Sequence, residues 1–191
     1  MKTLLMLVCV CALASTHAFA QTETEAQMKA WMAYMTPGEQ HKALAADEGT
    51  WKEEMTFWMG PDAPPQKYTA TAVYKMIMGG RYQESITTGT MNGMPFEGRS
   101  VVGYNNASKR FEMHWHDNMS TGQMHLIAEP WDGKSKTIEY KGEVTDPMTN
   151  KPMKTRQVYT IVDDNTRKIE MFDMHNGKEF KSMEINMTRQ K

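Results

Sequence analysis

The segment FEMHWHDNM, Phe111 to Met119, sets two histidines two residues apart beside an aspartate, and a third histidine follows in QMHL. On an extended strand Glu112, His114 and His116 share one face, while Phe111, Met113 and Trp115 share the other. Matching the apolar faces across the Asn118–Gly122 turn fixes the pairing parity, because a slip of one residue would send every side chain to the wrong side. That parity brings His125 onto the patch of His114 and His116. Three neutral imidazoles could hold zinc or copper, with Glu112 or Asp117 as a hard ligand nearby. The same alternation is also the solvated outer face of an ordinary antiparallel hairpin. Both readings stay open.

Methionine is the second unusual chemistry, with twenty in the chain. Met55, Met59, Met76, Met78, Met113 and Met124 fall on strand faces that also carry aromatic residues. There a flexible thioether fills irregular space and packs against rings. The sharper alternative is copper(I), a soft ion suited to thioethers, with Met171, Met174 and His175 as a further place for it. Exposed methionines acting as a reversible oxidation sink form a third reading.

A third group lies in GGRYQES and PFEGR, which carry Arg81, Glu84, Glu97 and Arg99. Glu84 shares the face of Tyr82 and Ile86, so the pattern points its carboxyl inward. A buried acid needs a partner, and Arg81 or Arg99 is the expected source. The pair would either fix strand register or orient a ligand's head group in an apolar pocket. For catalysis the sequence offers little: no G-x-S-x-G elbow, no His-Glu-x-x-His and no phosphate-cradling glycine loop. The neighbouring acids Glu53-Glu54 and Asp163-Asp164 sit in strand and turn contexts, where solvation and turn chemistry account for them.

These residues need a scaffold, and periodicity supplies one. AQMKAWMAYM places Met28, Trp31, Met32 and Met35 on one stripe at helical spacing. Thr36, Pro37 and Glu39 then read as N-cap, first helical residue and capping-box partner of a second short helix ending near Gly49. Beyond Gly49 the period becomes two, with Trp51, Glu53, Met55 and Phe57 alternating against Lys52, Glu54, Thr56 and Trp58. About ten such short runs follow. They are separated by Gly79-Gly80, Asn92-Gly93, Asn105-Asn106, Asp132-Gly133, Pro147, Asp163-Asp164 and Asn176-Gly177, all suited to tight connections. The fold class is therefore mainly β: an antiparallel up-and-down β-barrel of about ten strands behind a short N-terminal helical segment.

The opening MKTLLMLVCVCALASTHAFA has a basic residue, an apolar run and an Ala18-Phe19-Ala20 end, the layout of a signal peptide. The expected organisation is thus a leader over 1–20, a helical segment over 21–48 and a barrel over 49–191. Export makes the location periplasmic or secreted, and no integral membrane segment is expected in the mature chain. Cys9 and Cys11 both fall in the leader, which leaves the mature chain without disulfides or thiolate ligands. A net charge of -1, made of mixed acids and bases, gives no basic stripe for nucleic acid or an anionic membrane surface.

The succession PGEQHKAL, GTW, FWMGPDAPP, GGRYQE, MNGMPFEG, GYNNASKRF, WHDNMSTG, GEVTDPMTNKPMK, IVDDNT and NGKEFKSMEI resembles the domain of unknown function 1579 family, from about Pro37 to Arg189. The resemblance implies a lipocalin-like β-barrel and carries no established activity or catalytic residues. Gly49-Thr50-Trp51 after a short helix is similar to the opening of lipocalin barrels. Ser120-Thr121-Gly122 stands where the family pattern has Gly-Thr-Gly, and a hydroxyl supports such a turn nearly as well.

A barrel of roughly ten strands is wider than its own side chains readily fill. The leading expectation is therefore an exported, non-enzymatic container for a small hydrophobic molecule that requires no cofactor. Trp51, Phe57, Tyr74, Tyr82, Met113 and Trp115 would line it, Arg81 and Glu84 would orient the guest, and Asp117 would stand at the mouth. The alternative is a periplasmic copper or zinc protein built on His114, His116 and His125. Oligomeric state is not encoded in any pattern here.

Overall fold

The computed structural model describes residues 23–191, so the expected leader lies outside the described residues. The chain divides into two compact units at Thr36 and Pro37. In the first, residues 23–35 form helix α1. Its predicted stripe of Met28, Trp31, Met32 and Met35 is exposed. Among the described residues no helix is long and apolar enough to cross a membrane.

Thr36 does not cap the second helix as expected. Its hydroxyl donates to the carbonyl of Met32 at 2.6 Å, so it closes α1 instead. Helix α2 spans Glu39–Ala45 with Gly38 as its N-cap, and the Gly38 amide donates to Nδ1 of His41 at 2.9 Å. An imidazole thus takes the back-bonding role that the capping-box pattern assigned to a carboxylate.

The second unit contains α2 and ten strands: β1 Gly49–Phe57, β2 Gln66–Ile77, β3 Tyr82–Met91, β4 Met94–Asn105, β5 Arg110–Asp117, β6 Met124–Ala128, β7 Thr137–Asp146, β8 Lys151–Asp163, β9 Thr166–His175 and β10 Lys178–Arg189. Each strand pairs antiparallel with its neighbours in sequence, and β1 pairs with β10 to close the barrel. The connections are short because their residues accept left-handed backbone. Asn92-Gly93 and Asn176-Gly177 have positive φ at both positions, the geometry of a two-residue hairpin turn whose twist matches the strands. Bulges at Lys181/Met183 and Ile161/Asp163 shift the register of β10 against β9 and of β8 against β9.

Two apolar clusters occupy opposite walls. One joins Leu44 of α2 to Val102, Phe111, Met113, Leu126, Ile138 and Tyr140; the other joins Trp51, Met55, Ala70, Ile185 and Met187. Helix α2 covers the end of the barrel where β1 begins, and a buried polar knot fastens it there. Asp47, just past α2, accepts from Arg167 Nε at 2.9 Å and from the Tyr159 hydroxyl at 2.6 Å. Its backbone carbonyl accepts from Trp51 Nε1 at 2.8 Å. Arg189 adds donations to the carbonyls of Ala46 and Glu48. The guanidinium of Arg189 lies 4.3 Å and that of Arg167 5.2 Å from the Trp51 ring centroid, within cation–π range.

Removing one partner of a buried ion pair strands the other charge. Arg167→Met is expected to destabilise the fold by about 3–5 kcal/mol at pH 7, measured as a lower urea midpoint. Lys42→Met, which breaks an exposed pair with Glu39, should cost less than about 1 kcal/mol.

Candidate functional site

The inward faces of the strands enclose a cavity of about 370 Å³. Most of its wall is apolar. Seven methionines, Met55, Met91, Met113, Met119, Met124, Met171 and Met183, contribute with Phe57, Phe96, Phe111, Trp115, Trp131, Ile161, Ile169 and Ile185. Much of the methionine excess is thereby explained: unbranched side chains coat an irregular interior. Others lie outside, Met59 and Met78 being well exposed. Within β9, Met171 lines the cavity while Met174 has the opposite strand parity and His175 is exposed.

One strip of wall is polar. Gln83, Ser85 and Thr87 of β3 all point inward and are buried, and Glu53 of β1 and Ser100 of β4 flank them. Glu53 lies two strands from Thr87, yet the Thr87 hydroxyl hydrogen-bonds its carboxyl. The intervening strand explains how: β2 presents only Ala70 and Ala72 opposite Glu53 and Thr87, and these small side chains leave the path clear. Burial pushes the Glu53 carboxyl up from 4.5 to about 7, against the opposing effect of the Thr87 hydrogen bond. Burial, followed by the nearby Glu53 and Asp47 carboxyls, also raises the Tyr74 phenol well above its ordinary value. Tyr74 is therefore a neutral hydrogen-bonding group at physiological pH.

The far end of the cavity is rimmed by Phe57, Met91, Trp115, Asp117 and Met119. Asp117 accepts from Trp115 Nε1 at 2.8 Å and from the Met119 amide at 2.9 Å, so one carboxylate fixes both the indole and the start of the following loop. The indole lies against Gly98, where a Cβ would collide with the ring. Asn118 pins the same loop to β4, accepting from the Glu97 amide and donating to the Pro95 carbonyl, both at 3.0 Å.

Of the residues expected to line a container, Phe57, Tyr74, Met113, Trp115 and Asp117 border the cavity. Trp51 is fully buried below it, in the knot under α2. The inward placement of Glu84 is corrected, because β3 has the opposite phase. Glu84 pairs on the outer face with Lys75 at 3.1 Å, not with Arg81 or Arg99. Tyr82 is outward too, its ring covering Gly103. Arg81 donates to the Met78 carbonyl in the turn before β3, and Arg99 pairs with Glu97 on the outside. The residue that pattern reading missed is Glu53. Its place on the Trp51–Met55–Phe57 face was the available signal.

The histidine parity is as expected: His114 and His125 are directly opposed, with rings 4.3 Å apart and 8° from parallel. His114 stands on the outer face, and its pKa is lowered by partial desolvation of the ring against its neighbours and then by His125. His116 stands opposite Arg99. Among the described residues no group of three His, Cys, Asp or Glu side chains is gathered as a metal site.

The family model described as a protein of unknown function (DUF1579) matches residues 36–189. The chain belongs to that family. No curated protein matches it.

Because the folded protein holds the Glu53 proton more tightly than the unfolded chain, the stability linked to this group is complete below pH 4.5. It is lost as pH rises through about 7. Glu53→Gln lacks this linkage. Relative to the parent, the variant should gain up to about 3 kcal/mol between pH 4.5 and pH 8. Urea midpoints at the two pH values measure this; parallel pH dependence in both proteins would refute a buried, proton-holding Glu53.

Proposed function

For this member of the DUF1579 family we propose that the barrel is a container for a small, largely apolar molecule, held in the interior cavity of an exported protein. The cavity carries the reading. Its volume of about 370 Å³ falls in the range of small-molecule sites, which combine a mostly apolar wall with a few placed polar groups. The polar strip of Glu53, Gln83, Ser85 and Thr87 supplies those groups, in place of the Arg81 and Glu84 of the sequence pattern. The leader-like first twenty residues support export.

The wall supports binding in a physical sense as well. Aromatic and thioether side chains give a guest large contact area and strong dispersion attraction. Trp115 is held by Asp117 and seated on Gly98, so one side of the mouth is organised before a guest arrives, which lowers the ordering cost of binding.

Trp115 and Trp131 line the cavity, so intrinsic fluorescence reports on occupancy. Titration with a panel of lipids and haem should give saturable tryptophan quenching by at least one member. Trp115→Phe should remove much of that amplitude. Absence of saturable quenching across the whole panel would overturn the container.

A further inference from the structure

The cavity lining contains three carboxylates, Asp47, Glu53 and Asp117, and no lysine, arginine or histidine among the described residues. Two of the three are already engaged. Asp47 is neutralised by Arg167 at 2.9 Å, and Asp117 is occupied with the Trp115 indole and the Met119 amide. Glu53 differs. It is 2% exposed, lies in the wall of the cavity, and forms no ion pair among the described residues, with the Thr87 hydroxyl as its side-chain hydrogen-bond partner.

A buried carboxylate without a counter-charge is costly, and a guest that brings the counter-charge and hydrogen-bond donors offsets part of that cost. An ammonium group is compact, carries its donors on one atom, and would meet Glu53 together with the hydroxyl and amide acceptors of Ser85, Ser100 and Gln83. The Tyr74 ring borders the same region, and aromatic faces also favour cations. A carboxylate guest meets the reverse: no basic side chain in the lining, and a like charge at Glu53.

The geometry points to a cavity that takes apolar molecules bearing an amine, held head-first against Glu53, and that disfavours carboxylate amphiphiles such as fatty acids. This assignment rests on the container reading and narrows it to a ligand class. It also separates two kinds of guest that an apolar wall alone would not distinguish, since both carry the same hydrocarbon.

Octylamine, octanol and octanoate share one chain and differ in the head group. Their binding to the full protein is measured at pH 8, where the Glu53 carboxyl, raised to about 7, is mostly ionised. Trp115 fluorescence and calorimetry are the readouts. Octylamine should bind at least about tenfold more tightly than octanol, and octanoate more weakly than either. In Glu53→Gln the octylamine affinity should fall by about tenfold while octanol is unchanged, with thermal unfolding confirming that the variant is folded.

If octanol binds and octylamine shows no advantage, or if the advantage persists in Glu53→Gln, the amine assignment is wrong and the container stands. Tightest binding by octanoate overturns it in the same way. Binding by none of the three also overturns the assignment, and the lipid and haem panel then decides the container separately.

Discussion

Asp47 ties four parts of the molecule together. It follows α2, offers its carbonyl to the Trp51 indole at the start of β1, and receives Tyr159 from β8 and Arg167 from β9. Strands distant in sequence are thereby fixed to a seven-residue helix that could not hold its shape alone. Gln83 of β3 joins through the Leu44 carbonyl at 2.6 Å. With the end fastened this way, β1 begins at a defined height and the ladder with β10 starts in register, Trp51 opposite Arg189. The cavity depends on this fastening, because its lower wall includes Leu44 and Asp47 themselves.

The interior shows how a wide barrel can be lined without being filled. Branched and aromatic side chains pack the walls in both clusters, and methionines are interleaved with them. Thioethers adapt to whatever volume remains, so the lining stays attractive to apolar matter without being rigidly shaped to one guest. Against this background the polar strip is the exception. Three consecutive inward positions of β3 are Gln, Ser and Thr, and β2 contributes alanines where bulk would have blocked Glu53 from Thr87. A strand that gives up apolar packing on its inner face has given up stability for that arrangement.

The strand alternation, the turn residues and the closed ten-strand topology were legible because one face of most strands is plainly apolar. The histidine patch was legible for the same reason: Phe111, Met113 and Trp115 set the phase of β5 without ambiguity. Legibility failed where the site itself breaks the rule. On β3 the large residues Tyr82 and Ile86 are outward, Tyr82 covering Gly103 and Ile86 lying opposite Arg99. Pattern reading consequently inverted the strand and turned Glu84 inward. Glu53 was read in phase with Trp51 and Met55, yet its acidity suggested solvent, since a hydroxyl partner two strands away leaves no local trace in the sequence. At the helices a one-letter signature was outcompeted by geometry. Thr36 found the Met32 carbonyl, and His41 replaced the expected acid.

Pairing of β1 with β10 has one more implication. An open sheet offers a row of unsatisfied amide and carbonyl groups along each border, onto which a foreign strand can dock. Here both borders are spent on each other. Strand addition at β1 or β10, whether into fibrils or onto a partner's sheet, is thereby denied to the intact barrel.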